Sequence, residues 1–283
     1  MQLFADATRR IYGIDFTSAP SQHKPIHIAR GQLVGQHLVV EKDETLTNLG
    51  DFEAWCSHPG PWIAGCDLPF GQPAPLIAWL GWPEGWADYV HLIAQLNPHA
   101  FADALAAYRQ AQPSGQPKNA KRQIDQLAGS ISAMLMAYVP AGKMFYRAAP
   151  ILHRSGVNLP AHRPNHDPRT CLEVYPALVA RKAIGHTSYK NDRGQRADAR
   201  AAILAWIQHP DTQPGSCRAW YDLTITIAPA LAQACIGDPS GDTLDAVLAC
   251  IQAAWAASQP NYALPANHPP NEGWIADPAI PRP

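Results

Sequence analysis

The hydrophobic positions at the start of the chain come in short runs. Arg10 to Phe16 (R-I-Y-G-I-D-F) is rich in β-formers and is broken by Thr17-Ser18-Ala19-Pro20, which predicts a first strand. Pro25 to Arg30 and Leu33 to Val40 predict two more, with Gly31-Gln32 as the turn of a hairpin between them. Leu46, Leu49, Phe52 and Trp55 recur at helical spacing, so a short helix is expected over Leu46 to Cys56. Trp62 to Cys66 reads as another buried strand, ending at Asp67-Leu68-Pro69-Phe70-Gly71. The opening order is β-β-β-α-β.

From about Pro73 to His166 the spacing becomes helical, with Pro- and Gly-rich breaks. Trp86 to Leu96, His99 to Gln110, Arg122 to Tyr138 and Met144 to Leu152 are the predicted helices. Composition offers no linker at either end, so residues 73–166 read as a helical insertion into one fold spanning residues 1–283. Thr170 to Tyr175 returns to a strand. Pro176 then occupies a helix's first turn, where proline is tolerated, and Ala177 to Ile184 continues that helix. Arg196 to Gln208 and Asp222 to Ala234 are two more predicted helices. Asp242 to Ala257 is the clearest: Leu244, Val247, Leu248, Ile251, Ala254 and Trp255 follow helical spacing without a gap, and Ser240 can cap the start. The tail, residues 259–283, is Pro- and Asn-rich, with Gly273-Trp274-Ile275 as a segment able to dock on the body. The fold class is α/β, a mixed sheet flanked by helices.

Composition narrows the function classes. Of 283 residues, 47% are hydrophobic, ample for a buried core, while 16% are charged and the net charge is −1. That balance removes the argument for nucleic-acid binding that a strongly basic chain would carry, so any phosphate-binding surface must be local. Met1 to Arg10 has no apolar core of signal-peptide length, and the longest apolar stretch, Ile131 to Val139, is far short of the roughly 20 residues of a membrane helix. Six scattered cysteines without a Cys-x-x-Cys pair point to reduced, buried thiols in a cytoplasmic protein. His162 and His166 share a loop expected to be solvated, and no partner pair stands at zinc spacing.

Three apolar strands end in or contain a carboxylate: Asp15, Asp67 and Glu173. Aspartate is depleted from strands, and in open α/β sheets ligands sit beyond the carboxyl ends of the strands. Asp242 and Asp245 add two acids on one face of the last long helix. Each has a plainer reading: Asp67 before Leu-Pro can form a turn, and acids in a first turn complement the helix dipole. Together they suit a hard cation such as Mg²⁺ or Mn²⁺, or a pair of ions about 3.5–4 Å apart acting on a phosphodiester. Lys118, Lys121, Arg122, Arg181, Lys182, Lys190, Arg193, Arg196 and Arg200, with Tyr175 and Tyr189, could form a phosphate-binding rim, or simply solvated helix faces.

The motifs G-I-D (Gly13 to Asp15), G-x-D-x-P-F-G (Gly65 to Gly71), R-x-x-D (Arg122 to Asp125), E-V-Y-P (Glu173 to Pro176), Y-K-N-D (Tyr189 to Asp192) and D-x-x-D-A (Asp242 to Ala246) occur in this order. The combination resembles the uncharacterised domain family 429, classed as predicted nucleases of RNase-H-like fold, over nearly the whole chain. The resemblance implies a mixed five-stranded sheet opening with three antiparallel strands, and the insertion between the fourth and fifth. It further implies Asp15, Asp67, Asp242 and Asp245 as metal carboxylates, an arrangement similar to the Holliday-junction resolvases. Glu173 would assist catalysis, and Arg122, Asp125, Tyr189 and Lys190 would bind substrate. The expected activity is that of a metal-dependent nuclease or phosphodiesterase with nucleic acid as partner. The large insertion can cover the crevice and restrict access to something smaller than a duplex. Two other classes stay open. One is an actin-like phosphotransferase, echoed by Asp15-Phe16-Thr17-Ser18 but without a second Gly-rich phosphate loop. The other is a non-catalytic module that binds nucleic acid or protein.

Overall fold

The computed structural model describes residues 8–190 and 196–281. The chain opens with strands β1 (Arg9–Asp15), β2 (Ile26–Val34) and β3 (His37–Leu46), helix α1 (Leu49–Cys56) and strand β4 (Trp62–Asp67). Five helices follow: α2 (Ala74–Leu80), α3 (Trp86–Gln95), α4 (Pro98–Ala111), α5 (Gln123–Leu127) and α6 (Ala141–Ser155). Strand β5 (Arg169–Glu173) then leads into α7 (Pro176–Ile184), α8 (Ala197–Gln208) and α9 (Cys217–Tyr221). Strand β6 (Thr224–Ile227), α10 (Pro229–Gly237) and α11 (Asp242–Ala257) complete the order.

The strands form one six-stranded mixed sheet in the order β5-β4-β1-β2-β3-β6. The first three pair antiparallel with one another in turn, while β4 joins β1, β5 joins β4 and β6 joins β3 in parallel. Because strand side chains alternate, each face has its own core. Ile14, Phe16, Ile28, Ala64 and Cys66 pack on α1 and the insertion, against Tyr89, Phe101 and Phe145. Ile11, Ala29, Leu38 and Val40 pack on the other layer, against Val179, Ile203 and the buried side of α11.

Two glycines set the depth of α11. Gly13 and Gly65 are register partners on β1 and β4. A Cβ on Gly13 would run into the backbone of Ala246 and Cys250, and one on Gly65 would lie 2.5 Å from the carbonyl oxygen of Ala249. Without side chains there, the helix rests on the strands themselves.

Four expectations change. The sheet has six strands, not five. The extra strand, β6, lies inside Asp222 to Ala234, where a helix was expected. Its sequence T-I-T-I is β-branched throughout and alternates exposed with buried, the period of a strand, and Pro229 delays the helix to α10. Gly31-Gln32 is no turn: β2 runs through it, and the chain reverses at Gly35-Gln36, where Gly35 has φ +56°. Of Arg122 to Tyr138, the short α5 alone is helical, because Gly129 at φ +58° closes it and Ser130 donates back to the Asp125 carbonyl. Finally, the N-cap of α11 is Gly241. Ser240 and Asp238 still serve the first turn, accepting from the amides of Asp242 and Thr243 at 3.1 and 2.9 Å.

The tail docks. Trp274, Ile275 and Ala276 are buried, Ile275 bridges to Glu173 in parallel, and Ala276 donates its amide to the Glu173 carbonyl at 2.9 Å. Among the described residues, no helix is long and apolar enough to cross a membrane.

Candidate metal centre at the ends of β1 and β4

Asp15 and Asp67 are the last residues of adjacent parallel strands and stand in register. Counting back by twos from each reaches Gly13 and Gly65, so both carboxylates project toward α11. The glycine contacts let the helix come close enough for its first turn to deliver Asp245 to the same point. One oxygen from each of Asp15, Asp67 and Asp245 lies within 4.8 Å of the other two.

The neighbours of this trio are few. The Lys190 ammonium pairs with Asp245 Oδ2 and lies 3.7 Å from Asp242 Oδ1. The Tyr189 hydroxyl donates to Asp245 Oδ1 at 2.6 Å. Arg200, fully buried, holds this segment by donating to the Tyr189 carbonyl at 2.9 Å and to that of Ile236 at 2.9 Å. Asp242 sits further out: its side chain is 15% exposed against 3% for Asp245, and it lies outside the trio.

The electrostatics are those of an excess of acid. Burial pushes Asp67 up to about 8, with Asp245 adding to the rise and Lys190 opposing it. Burial likewise raises Asp15 well above the carboxylate range, against the pull of Lys190. Asp245 is raised less freely, since Lys190 and Tyr189 both stabilise its charge. Among the described residues, three converging carboxylates share one paired ammonium and are short of positive charge. Converging carboxylate oxygens are the donor set of a hard divalent cation.

Glu173 does not join them. It is one residue out of phase with the acids: its register partner is Cys66, whose side chain belongs to the opposite core. There it grips Arg122 in a two-pronged pair at 2.6 and 2.9 Å and accepts the Phe70 amide at 2.9 Å. Arg122 also donates to Asp125 through Nε and Nη2 and to the Glu272 carbonyl. All five of its N–H groups are thereby engaged. Arg122 and Asp125, expected at substrate, and Glu173, expected in catalysis, form a buried strut that also lines the cavity beside the acids.

The basic rim contracts in the same way. Lys118 and Lys121 donate to backbone carbonyls of their own segment. Arg181 bonds the Ala128 carbonyl and the Tyr175 hydroxyl, and the Lys182 ammonium lies 3.6 Å from the centre of the Trp220 ring. Asp192 and Arg193 fall outside the described residues. Among the described residues, Lys190 is the rim cation that pairs with Asp245 and Asp242. His162, expected in a solvated loop, is half-buried with its ring 5.1 Å from that of Trp86, and Nδ1 is 2.8 Å from the Pro270 carbonyl.

One neighbour was missed. His27 stands across from Asp15 on β2, its Nδ1 3.1 Å from Asp43 Oδ2 and 3.4 Å from Thr243 Oγ1. Burial would lower its pKa, but the Asp43 hydrogen bond and charge, with Asp242 and Asp238 beyond, hold it above the usual value. The signal was the alternation P-I-H-I, which places a polar side chain on the acid-bearing face.

A family model described as "Protein of unknown function (DUF429)" matches residues 13–270. The chain belongs to this family. No curated protein and no solved structure matches it. The matched span of this DUF429 protein opens at Gly13, under α11, and takes in all four aspartates and Lys190. Beside the acids it encloses a cavity of about 290 Å³. Its polar lining includes Asp67, Asp245, Tyr189 and Lys190 with Arg122, Asp125 and Glu173, and its apolar lining includes Ile131, Ala133, Val139, Ala141 and Met144 of the insertion.

Proposed function

We propose that this DUF429 protein is a divalent-metal-dependent phosphodiesterase of nuclease type, built on an RNase-H-like frame and working in the cytoplasm. The frame is supported by the run β5-β4-β1-β2-β3 within the sheet, three antiparallel strands flanked by two parallel ones, with β6 as an addition at the edge. The single observation that carries the activity is the convergence of Asp15, Asp67 and Asp245 within 4.8 Å. Bound Mg²⁺ or Mn²⁺ would supply a Lewis acid for the phosphoryl oxygens and a water of lowered pKa.

The chain's own residues do the rest. Asp15, Asp67 and Asp245 hold the ion, with Asp242 at the rim. Tyr189 fixes the orientation of Asp245 through its hydroxyl. Lys190 stands beside the trio, able to move from carboxylate to phosphate oxygen as a substrate brings its own negative charge. Hydrolysis consumes one water: its oxygen bonds to phosphorus, the ester P–O bond breaks, and the leaving oxygen ends with a proton. Nucleic acid is the partner class this chemistry implies.

Asp15→Asn keeps the shape and removes one ligand charge. Mg²⁺- or Mn²⁺-dependent cleavage of DNA and RNA substrates should fall at least roughly 100-fold, the scale on which metal sites respond to altered ligation. Full activity in that variant would defeat the assignment.

A further inference from the structure

The cavity beside the acids has two unlike kinds of lining, carboxylates with the Lys190 ammonium and the Arg122 guanidinium, and aliphatic side chains from the segment between α5 and α6 and the start of α6. The contrast extends to the surface. Six large hydrophobic residues are exposed among the described residues, Val34, Trp79, Leu127, Ile131, Tyr138 and Val139, and four of them lie between 127 and 139. Ile131 and Val139 line the cavity, and Tyr138 between them in sequence is fully exposed with φ +62°. A bulky side chain in the left-handed region is strained, and apolar groups concentrated in solvent at a cavity's lip mark a surface that a ligand covers. Tyr175 lines the same cavity, with the Arg181 guanidinium 5.3 Å from its ring centroid.

At about 290 Å³ the cavity falls at the lower edge of the roughly 300–1,000 Å³ that small-molecule pockets occupy. A space of that size suits one ring system with a phosphate attached. We infer that the substrate is a phosphate ester bearing a single aromatic group: the phosphate lies at Asp15, Asp67 and Asp245, and the ring lies between Tyr175 and the Ile131–Val139 lip. This rests on the phosphodiesterase reading and narrows it. The ring belongs either to a free small ester or to one unpaired nucleotide at a strand end, since an unstacked base presents the same π-face.

The test uses the full chain with Mn²⁺ and three substrates: methyl p-nitrophenyl phosphate, an oligonucleotide with a single-stranded 3′ overhang, and a duplex closed by hairpins at both ends. Binding of p-nitrophenyl phosphate is measured in parallel by calorimetry. Both open substrates should be hydrolysed at least 100-fold faster than the closed duplex, and the faster of the two names the source of the ring. Ile131→Ser and Val139→Ser, on exposed positions that folding tolerates, should each raise KM for the aryl ester and weaken p-nitrophenyl phosphate binding roughly tenfold, the lower end of what a lost pocket contact costs. Mn²⁺ affinity should not move. Equal cleavage of the closed duplex, or variants with unchanged KM and binding, would overturn the inference while leaving the phosphodiesterase reading intact. Lip-dependent binding without hydrolysis of any substrate would overturn that reading and leave the cavity as an aryl-phosphate site. Neither binding nor hydrolysis would end both.

Discussion

Lys190 is held by opposing forces. Burial works against its charge, yet Asp245, Asp15 and Asp67 keep it protonated far above the ordinary lysine range. It acts as the site's internal counter-ion. Lys190→Met should therefore lower the melting temperature of the metal-free protein, and added Mn²⁺ should raise the variant's melting temperature by more than the wild type's, because the ion takes over the neutralising role. Calorimetric scans with and without metal read this directly, and equal shifts would contradict it. Glu173 supplies the opposite case. Glu173→Gln weakens the grip on a fully engaged, buried arginine and should cost about 3 kcal/mol, the low end for breaking a buried pair, with Mn²⁺ affinity unchanged. At this scale the sequence was legible for Asp15, Asp67 and Asp245, which are acids in strongly apolar surroundings. The face of Glu173 was not legible, because C-L-E-V-Y is apolar on both sides and nothing in it reveals which side each residue takes.

At the scale of elements, the position of α11 on the sheet decides whether the trio exists. Gly13→Ala places a methyl group against the backbone of Ala246 and Cys250, where no flexible side chain can give way. The helix must lift, at a cost of about 3 kcal/mol or more, the upper end for overpacking. Unlike an ordinary core mutation, it should also weaken Mn²⁺ binding, since Asp245 rides on the displaced helix. Urea unfolding and metal titration of one preparation check the pair of effects, and loss of stability with intact metal binding would speak against it. The same helix shows what can be read without coordinates. Its heptad-like apolar spacing gave both ends, whereas α5 and β6 were misjudged. In α5, five helical residues are too few to establish a period before Gly129 ends it, and in β6 alternating Thr and Ile merge with the apolar residues of α10 into a false helical pattern.

Across the whole molecule, the C-terminal segment ties the insertion to the sheet. Glu272 accepts the Ala74 amide at 2.7 Å and the Gln123 amide at 2.7 Å, and its own carbonyl takes a hydrogen bond from Arg122 at 3.0 Å. One side chain thus fastens the starts of α2 and α5. Glu272→Ala should leave two amides without their carboxylate, cost about 1–3 kcal/mol for each that water cannot reach, and speed hydrogen exchange in residues 123–127 relative to the strands. Uniform exchange across both regions would refute a local role. None of this was readable from a Pro- and Asn-rich tail, because the partners of Glu272 lie nearly 150 residues or more away in the chain.

The dependence on α11 also fixes when the three carboxylates can first meet. A ribosome makes Asp15 and Asp67 early, whereas Asp245 comes 178 residues after Asp67 and the clasp at Glu272 later still. A growing chain therefore carries two carboxylates with nothing to complete the trio until α11 has been made.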